Sequence, residues 1–238
     1  MHHRTIHALL LALLLTGLVA GSATGALIRI APDLELRTGW VPDVFGDDAG
    51  QFSDEALSLI HASLWDSGIQ TDERITILGL DTDHGISLVF LVDGAGAGVG
   101  SGSASLSFQS TAPIGRTAWI NDQPDDISDG YNGASGKQVA WGLFTWDSSL
   151  EGDAFAWSNL QPGDGLSAMF AAVEESTWPA LQLDDTFQFI SAVDAGWSVL
   201  ESASFSSAGY FAFTAQVTPA PGAIALLALA GIRRRRRR

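Results

Sequence analysis

The sequence predicts an all-β chain: a single antiparallel β-sandwich or jelly-roll domain of about ten short strands. Three observations point there. Apolar and polar residues alternate with a period of two through most of residues 27–217. The strand-like segments are short and are punctuated by Gly- and Asp-rich turns. The chain has no cysteine, so its stability must come from a hydrophobic core, and residues 27–217 are enough to build one.

Leu27-Ile28-Arg29-Ile30 opens the domain as a strand. Ser53 to Ile60 admits two readings. A serine cap, early acids at Asp54 and Glu55, and apolar residues at 56, 57, 59, 60 and 64 fit a short helix. Leu57, Leu59 and His61 on one face fit a strand. The strand is preferred from Ser58 onward, because a one-turn helix is rarely stable alone. Ile75 to Leu80 alternates again, and Asp81-Thr82-Asp83-His84-Gly85 reverses the chain. Ile86 to Val92 is a nearly continuous apolar run, which fits a strand buried on both sides or in a sandwich core. Gly94 to Gly102 is a glycine-rich loop with strands on either side.

Ser103-Ala104-Ser105-Leu106-Ser107-Phe108 puts serines on one face and apolar residues on the other. Val139 to Trp146 and Asp153 to Trp157 are aromatic-rich and separated by an Asp/Ser/Gly turn, which predicts a hairpin. Leu166 to Val173, Thr186 to Val193, Trp197 to Ala203 and Tyr210 to Val217 complete the set. In the last of these, Phe211, Phe213, Ala215 and Val217 share a face.

The two ends read differently. Met1 to His7 carries Arg4 and no acid, Ala8 to Ala20 is an apolar run rich in leucine, and small residues follow to Ala26. That order predicts a secretory signal peptide over residues 1–26, with an apolar signal helix, taken by the Sec export machinery and cut by signal peptidase. At the other end, Thr218-Pro219-Ala220-Pro221 leads into an apolar helix from Gly222 to Ile232 and then six arginines, Arg233 to Arg238. An apolar run followed by a basic block suits a pause in a membrane, with the arginines held among water and anionic headgroups.

Setting both ends aside sharpens the charge. The chain has 12 basic and 27 acidic residues. Residues 27–217 keep all 27 acids but only Arg29, Arg37, Arg74, Arg116 and Lys137, a formal charge of −22 from five basic and 27 acidic groups. Such a domain repels nucleic acid and anionic lipid.

Candidate sites are few. Asp122, Asp125, Asp126, Asp129 and Asn132 crowd oxygen ligands into one short stretch. Two readings stand: a solvated acidic turn, which is preferred, and a site for a hard cation such as calcium. The spacing does not make an EF-hand, since Ile127 and Gly136 fall where ligands are needed. Eight tryptophans lie in the domain. Trp141, Trp146 and Trp157 are close in sequence, so a hairpin could present a pair of them to a sugar. The core is the preferred place for most of the eight. Catalytic motifs are lacking: there is no Gly-x-Ser-x-Gly, no His-Glu-x-x-His and no phosphate-cradling glycine pattern. Glu151 with Asp153, and Glu174 with Glu175, are carboxylate pairs of the kind expected by chance among 27 acids. The sequence therefore predicts no enzyme.

The tail of residues 218–238 resembles the PEP-CTERM sorting signal. The residues that carry the resemblance are Pro219-Ala220-Pro221, the apolar run, and Arg233, Arg234, Arg235, Arg236, Arg237 and Arg238. Ala220 stands where that family has an acid. The apolar run has 11 residues, or about 16 Å as a helix against about 30 Å of hydrocarbon, so a crossing would draw in the arginine stems and the upstream prolines. The resemblance implies export, transient anchoring as a transmembrane helix in the inner membrane, cleavage by an exosortase-type transpeptidase, and delivery to the cell surface or extracellular matrix. It also implies surroundings rich in exopolysaccharide. The expected protein is a surface-sorted sandwich of structural or adhesive type without a cofactor. The alternative is a carbohydrate-binding module, calcium-assisted, that acts on matrix polysaccharide.

Overall fold

The structure is a computed structural model. It describes residues 26–30, 34–41, 44, 53–71, 74–82, 85–92, 102–110, 116–120, 127–132, 137–146, 153–172, 187–204 and 209–218. For 54, 102–104, 116–120, 127–132, 137–138, 143–146, 153 and 172 the description is of the backbone. The predicted signal peptide and the sorting tail, with Pro219, Ala220, Pro221 and Arg233 to Arg238, lie outside the described residues.

Fourteen strands and one helix are described. The strands are β1 (Leu27–Ile30), β2 (Leu34–Arg37), β3 (Gly39–Trp40), β4 (Ile75–Thr82), β5 (Gly85–Val92), β6 (Gly102–Ser110) and β7 (Arg116–Ile120). They continue as β8 (Ile127–Asn132), β9 (Lys137–Trp146), β10 (Asp153–Leu160), β11 (Gly165–Ala172), β12 (Phe187–Val193), β13 (Gly196–Ala203) and β14 (Tyr210–Thr218). The helix, α1, spans Asp54–Asp66 between β3 and β4.

The strands form two sheets. The first runs β2-β1-β14-β11-β6-β9-β8, and every neighbouring pair is antiparallel. The second runs β13-β12-β4-β5-β10-β7, with β3 also on β4. It is mixed, because β12 and β3 both pair parallel to β4. The predicted sandwich is therefore present.

Alternation decides what fills the space between the sheets. Leu106 and Phe108 of β6, Phe170 of β11, and Ala215 and Val217 of β14 point inward from the first sheet. Phe90 of β5, Phe155 and Trp157 of β10, and Phe187 and Phe189 of β12 meet them from the second. The rings interlock across the interface. Phe108 stacks on Trp157 with centroids 4.3 Å apart, and Phe211 stacks on Phe187 at 4.1 Å.

The second sheet is buried on its other face as well. Leu78, Leu80, Val89, Leu91, Ala154, Ala156 and Ile190 form a smaller core with Ala56, Ile60 and Leu64 of α1. This explains the unbroken apolar run of β5. Ile86, Leu88, Phe90 and Val92 enter the sandwich, while Val89 and Leu91 lie under the helix. Gln188 also faces that side, and its amide donates to Gln70 O at 2.8 Å and to Thr76 Oγ1 at 2.7 Å, so the buried polar group is satisfied.

The strand expected from Ser58 onward is a helix. Ser53 caps it, its hydroxyl accepting from Ala56 N at 3.3 Å. The end is a Schellman turn: Gly68 N donates to Trp65 O and Ile69 N to Leu64 O, with Gly68 at φ 73°. The stop at Gly68 and the four-residue step from Ile60 to Leu64 are the sequence signals that separate helix from strand. We expect Ser53→Ala to cost about 0.5–1 kcal/mol in chemical denaturation, the low end for such caps because the bond is long.

A second correction concerns β9 and β10. They are consecutive in the chain but do not form the predicted hairpin. β9 pairs with β6 and β8 in the first sheet, and β10 pairs with β5 and β7 in the second. The chain crosses the sandwich between them.

Candidate binding face

The outer face of the first sheet is open to solvent along β6, β9, β11 and β14. Its inner positions are consumed by the core, so alternation sends the remaining residues of β6, β9, β11 and β14 to solvent. Register then lines them up in rows. One row runs Trp141, Ser107, Met169, Ala212 across β9, β6, β11 and β14. The next runs Val139, Gln109, Ser167, Thr214. On the other side of the first row lie Ser105, Ala171 and Tyr210.

The large side chains of this face stand out in water. Trp141 is 53% exposed, Met169 43% and Tyr210 46%. Between Trp141 and Met169 is only Ser107, so a short trough opens on β6 over Ser107, between Ser105 and Gln109. Its hydroxyls are loosely held: Ser105 Oγ donates to Ala171 O at 3.4 Å and Ser167 Oγ to Gln109 O at 3.5 Å. Bonds this long leave the hydroxyls ready to exchange partners.

None of these side chains is charged, on a domain of formal charge −22. Charge begins at the margin, where Lys137, two residues before Val139 on β9, lies opposite Asn132 of β8. Arg29 on β1 lies opposite Gln216 of β14, and its guanidinium is neutralised by Glu35 of β2 at 2.8 Å. Arg37 reaches Asp194 at 3.6 Å.

The three tryptophans weighed as a sugar-binding group are dispersed. Trp141 lies on this face. Trp157 does not: it is fully buried in the sandwich, so it can offer no ring to a sugar. The cause is the crossing of the chain between β9 and β10, which turns Trp157 toward Phe108. Trp146 lies at the end of β9, opposite Gly102. Most tryptophans were expected in the core, but among the described side chains only Trp157 is fully buried. Trp40, Trp65 and Trp141 are exposed and Trp197 is half-buried. Phenylalanine fills the core instead.

Of the oxygen-rich stretch, Asp129 and Asn132 lie on β8, opposite Ala140 and Lys137 of β9. Asp122, Asp125 and Asp126 fall outside the described residues, as do Glu151, Glu174, Glu175 and His84. No group of three or more potential metal ligands comes together among the described residues. His61 is half-buried on α1. No described helix is long and apolar enough to cross a membrane.

Met169, Ser107 and Tyr210 were not singled out from sequence. The serine alternation of β6 was visible there, but its neighbours on β11 and β14 are distant in the chain. No protein-family model, curated protein or solved structure matches the chain.

Proposed function

We propose that this is an exported, surface-sorted β-sandwich of adhesive type, without catalytic activity, whose adhesive surface is the outer face of the first sheet. The observation that carries the reading is the absence of charge at the centre of that face, in the rows of Trp141, Ser107 and Met169 and of Val139, Gln109 and Ser167, set on an otherwise strongly acidic domain. A face shaped only by the need for solubility would share in the domain's carboxylates. The apolar N-terminal run and the Pro-Ala-Pro, apolar and arginine tail supply the route: export, a transient hold in the inner membrane, and release by an exosortase-type enzyme to the surface or matrix.

Deleting residues 219–238 tests the route. The expected result is loss of cell-surface retention, with the truncated protein in the medium, measured by fractionation and immunoblotting. If the truncated chain distributes as the intact one does, sorting by the tail is wrong.

A further inference from the structure

The partner of this face can be named by its chemistry, granting the adhesive reading above. We infer that the short trough on β6 binds an uncharged, hydroxyl-rich polysaccharide chain, with a sugar ring laid against Trp141 over Ser105 and Ser107.

The shape comes from register. Trp141 and Met169 are both level with Ser107, one on each side. Adjacent strands are about 4.8 Å apart, so the two flanking side chains rise from backbones about 10 Å apart, with a serine between them. That gap suits one narrow chain lying along the strand. Trp141 offers an exposed apolar ring face to the C–H face of a sugar. The serine hydroxyls both donate and accept, which matches sugar hydroxyls. The present bond of Ser105 to a carbonyl, at 3.4 Å, keeps its acceptor lone pairs for a ligand.

Charge excludes the other occupants. A polyanionic glycan, a nucleic acid or an anionic membrane would meet a domain of −22 whose cations on this sheet, Arg29, Arg37 and Lys137, lie at its margins and not beside Ser107. A basic partner would be drawn to the carboxylates elsewhere. A second copy would bring −22 against −22, and among the described side chains here only Trp141, Met169 and Tyr210 provide substantial exposed apolar surface. A stable protein interface needs about 800 Å² per partner around an apolar centre. A neutral polysaccharide is not repelled, and its repeating units let weak contacts add up over many copies of the protein.

The test is native affinity electrophoresis of the full chain in gels containing hydroxyethylcellulose, galactomannan or dextran, with alginate as the polyanion. At least one uncharged polymer should retard the protein, and that retardation should be unchanged between low and high salt, since no charged group takes part. Any retardation by alginate, which the six terminal arginines can bind, should vanish at high salt and be the same in Trp141→Ala. Trp141→Ala should weaken binding at least tenfold, and Ser107→Glu, which places a charge on the trough floor, should do the same. Trp65→Ala, on α1, should bind as the wild type does. Circular dichroism melts confirm that each variant is folded.

The inference fails if no uncharged polymer retards the chain, or if Trp141→Ala and Ser107→Glu both bind normally. It fails too if sedimentation shows a dimer that Ser107→Glu dissociates. Blank gels from a protein retained at the cell surface overturn the polysaccharide and leave the adhesive reading. Retardation of a protein that never leaves the cell supports the polysaccharide and overturns the export reading.

Discussion

Phe90→Ala will destabilise the domain by about 3–5 kcal/mol, the range for a fully buried phenylalanine. Phe90 is the hub of the sandwich. Its ring meets Phe108 at 5.7 Å, Phe170 at 5.5 Å and Phe213 at 6.2 Å, all from the first sheet, and Phe155 at 5.7 Å from its own. Truncation removes the apolar contact and leaves a cavity that two hydrogen-bonded sheets cannot collapse to fill. A domain is held by only about 5–15 kcal/mol, so the variant will populate unfolded chain under mild conditions. Equilibrium urea denaturation of the full chain measures it. Phe90→Leu, which keeps much of the volume, should cost clearly less. A loss below about 1 kcal/mol for the alanine variant would mean that the two sheets do not pack through this ring.

Trp197→Ala will loosen α1 from the second sheet and cost about 2–4 kcal/mol, somewhat under the range for a fully buried tryptophan because this ring is half-buried. Trp197 is on β13, far from the helix in sequence. Its Nε1 donates to Ser63 Oγ at 2.7 Å, and its backbone N–H donates to Ser67 Oγ at 3.0 Å. The indole also lies over Gly39 of β3, where any Cβ would collide with the ring. One side chain thus joins β3, α1 and β13. The expected signature is local: hydrogen exchange should accelerate across residues 54–66 more than in β5 or β11. Gly39→Leu should produce the same pattern by displacing the ring. Uniform acceleration across the whole domain would show that the helix has no separate anchor.

These two positions were not equally legible in the sequence. Phe90 sits in the run Ile86 to Val92, whose nearly continuous apolarity fitted a strand buried on both sides or one in a sandwich core. The structure shows the two covers, the first sheet and α1. Trp197 carried no such sign, because what it anchors lies about 130 residues earlier. The binding face is a mixed case. The serines of β6 were assigned to one side of their strand, and Phe211, Phe213, Ala215 and Val217 to one side of β14, as found. That these strands flank β11 was not visible, so neither Met169 nor Tyr210 could be placed beside Trp141.

The sequence by itself determined the β class, the polarity of each alternating strand and the charge of the domain. Those depend on residue type and a period of two, both of which are local. The tertiary structure decided three other things. It made residues 54–66 a helix, because a 13-residue segment is marginal alone and is held by packing on Leu78, Val89 and Ile190. It sent β9 and β10 to different sheets, so that Trp141 faces water while Trp157 lies in the core. And it brought Trp141, Ser107, Met169 and Ala212 into one row from four strands scattered between residues 102 and 218. Strand partners and the covered side of a sheet are set by non-local pairing, whose loop-closure entropy is repaid only when the whole sandwich closes.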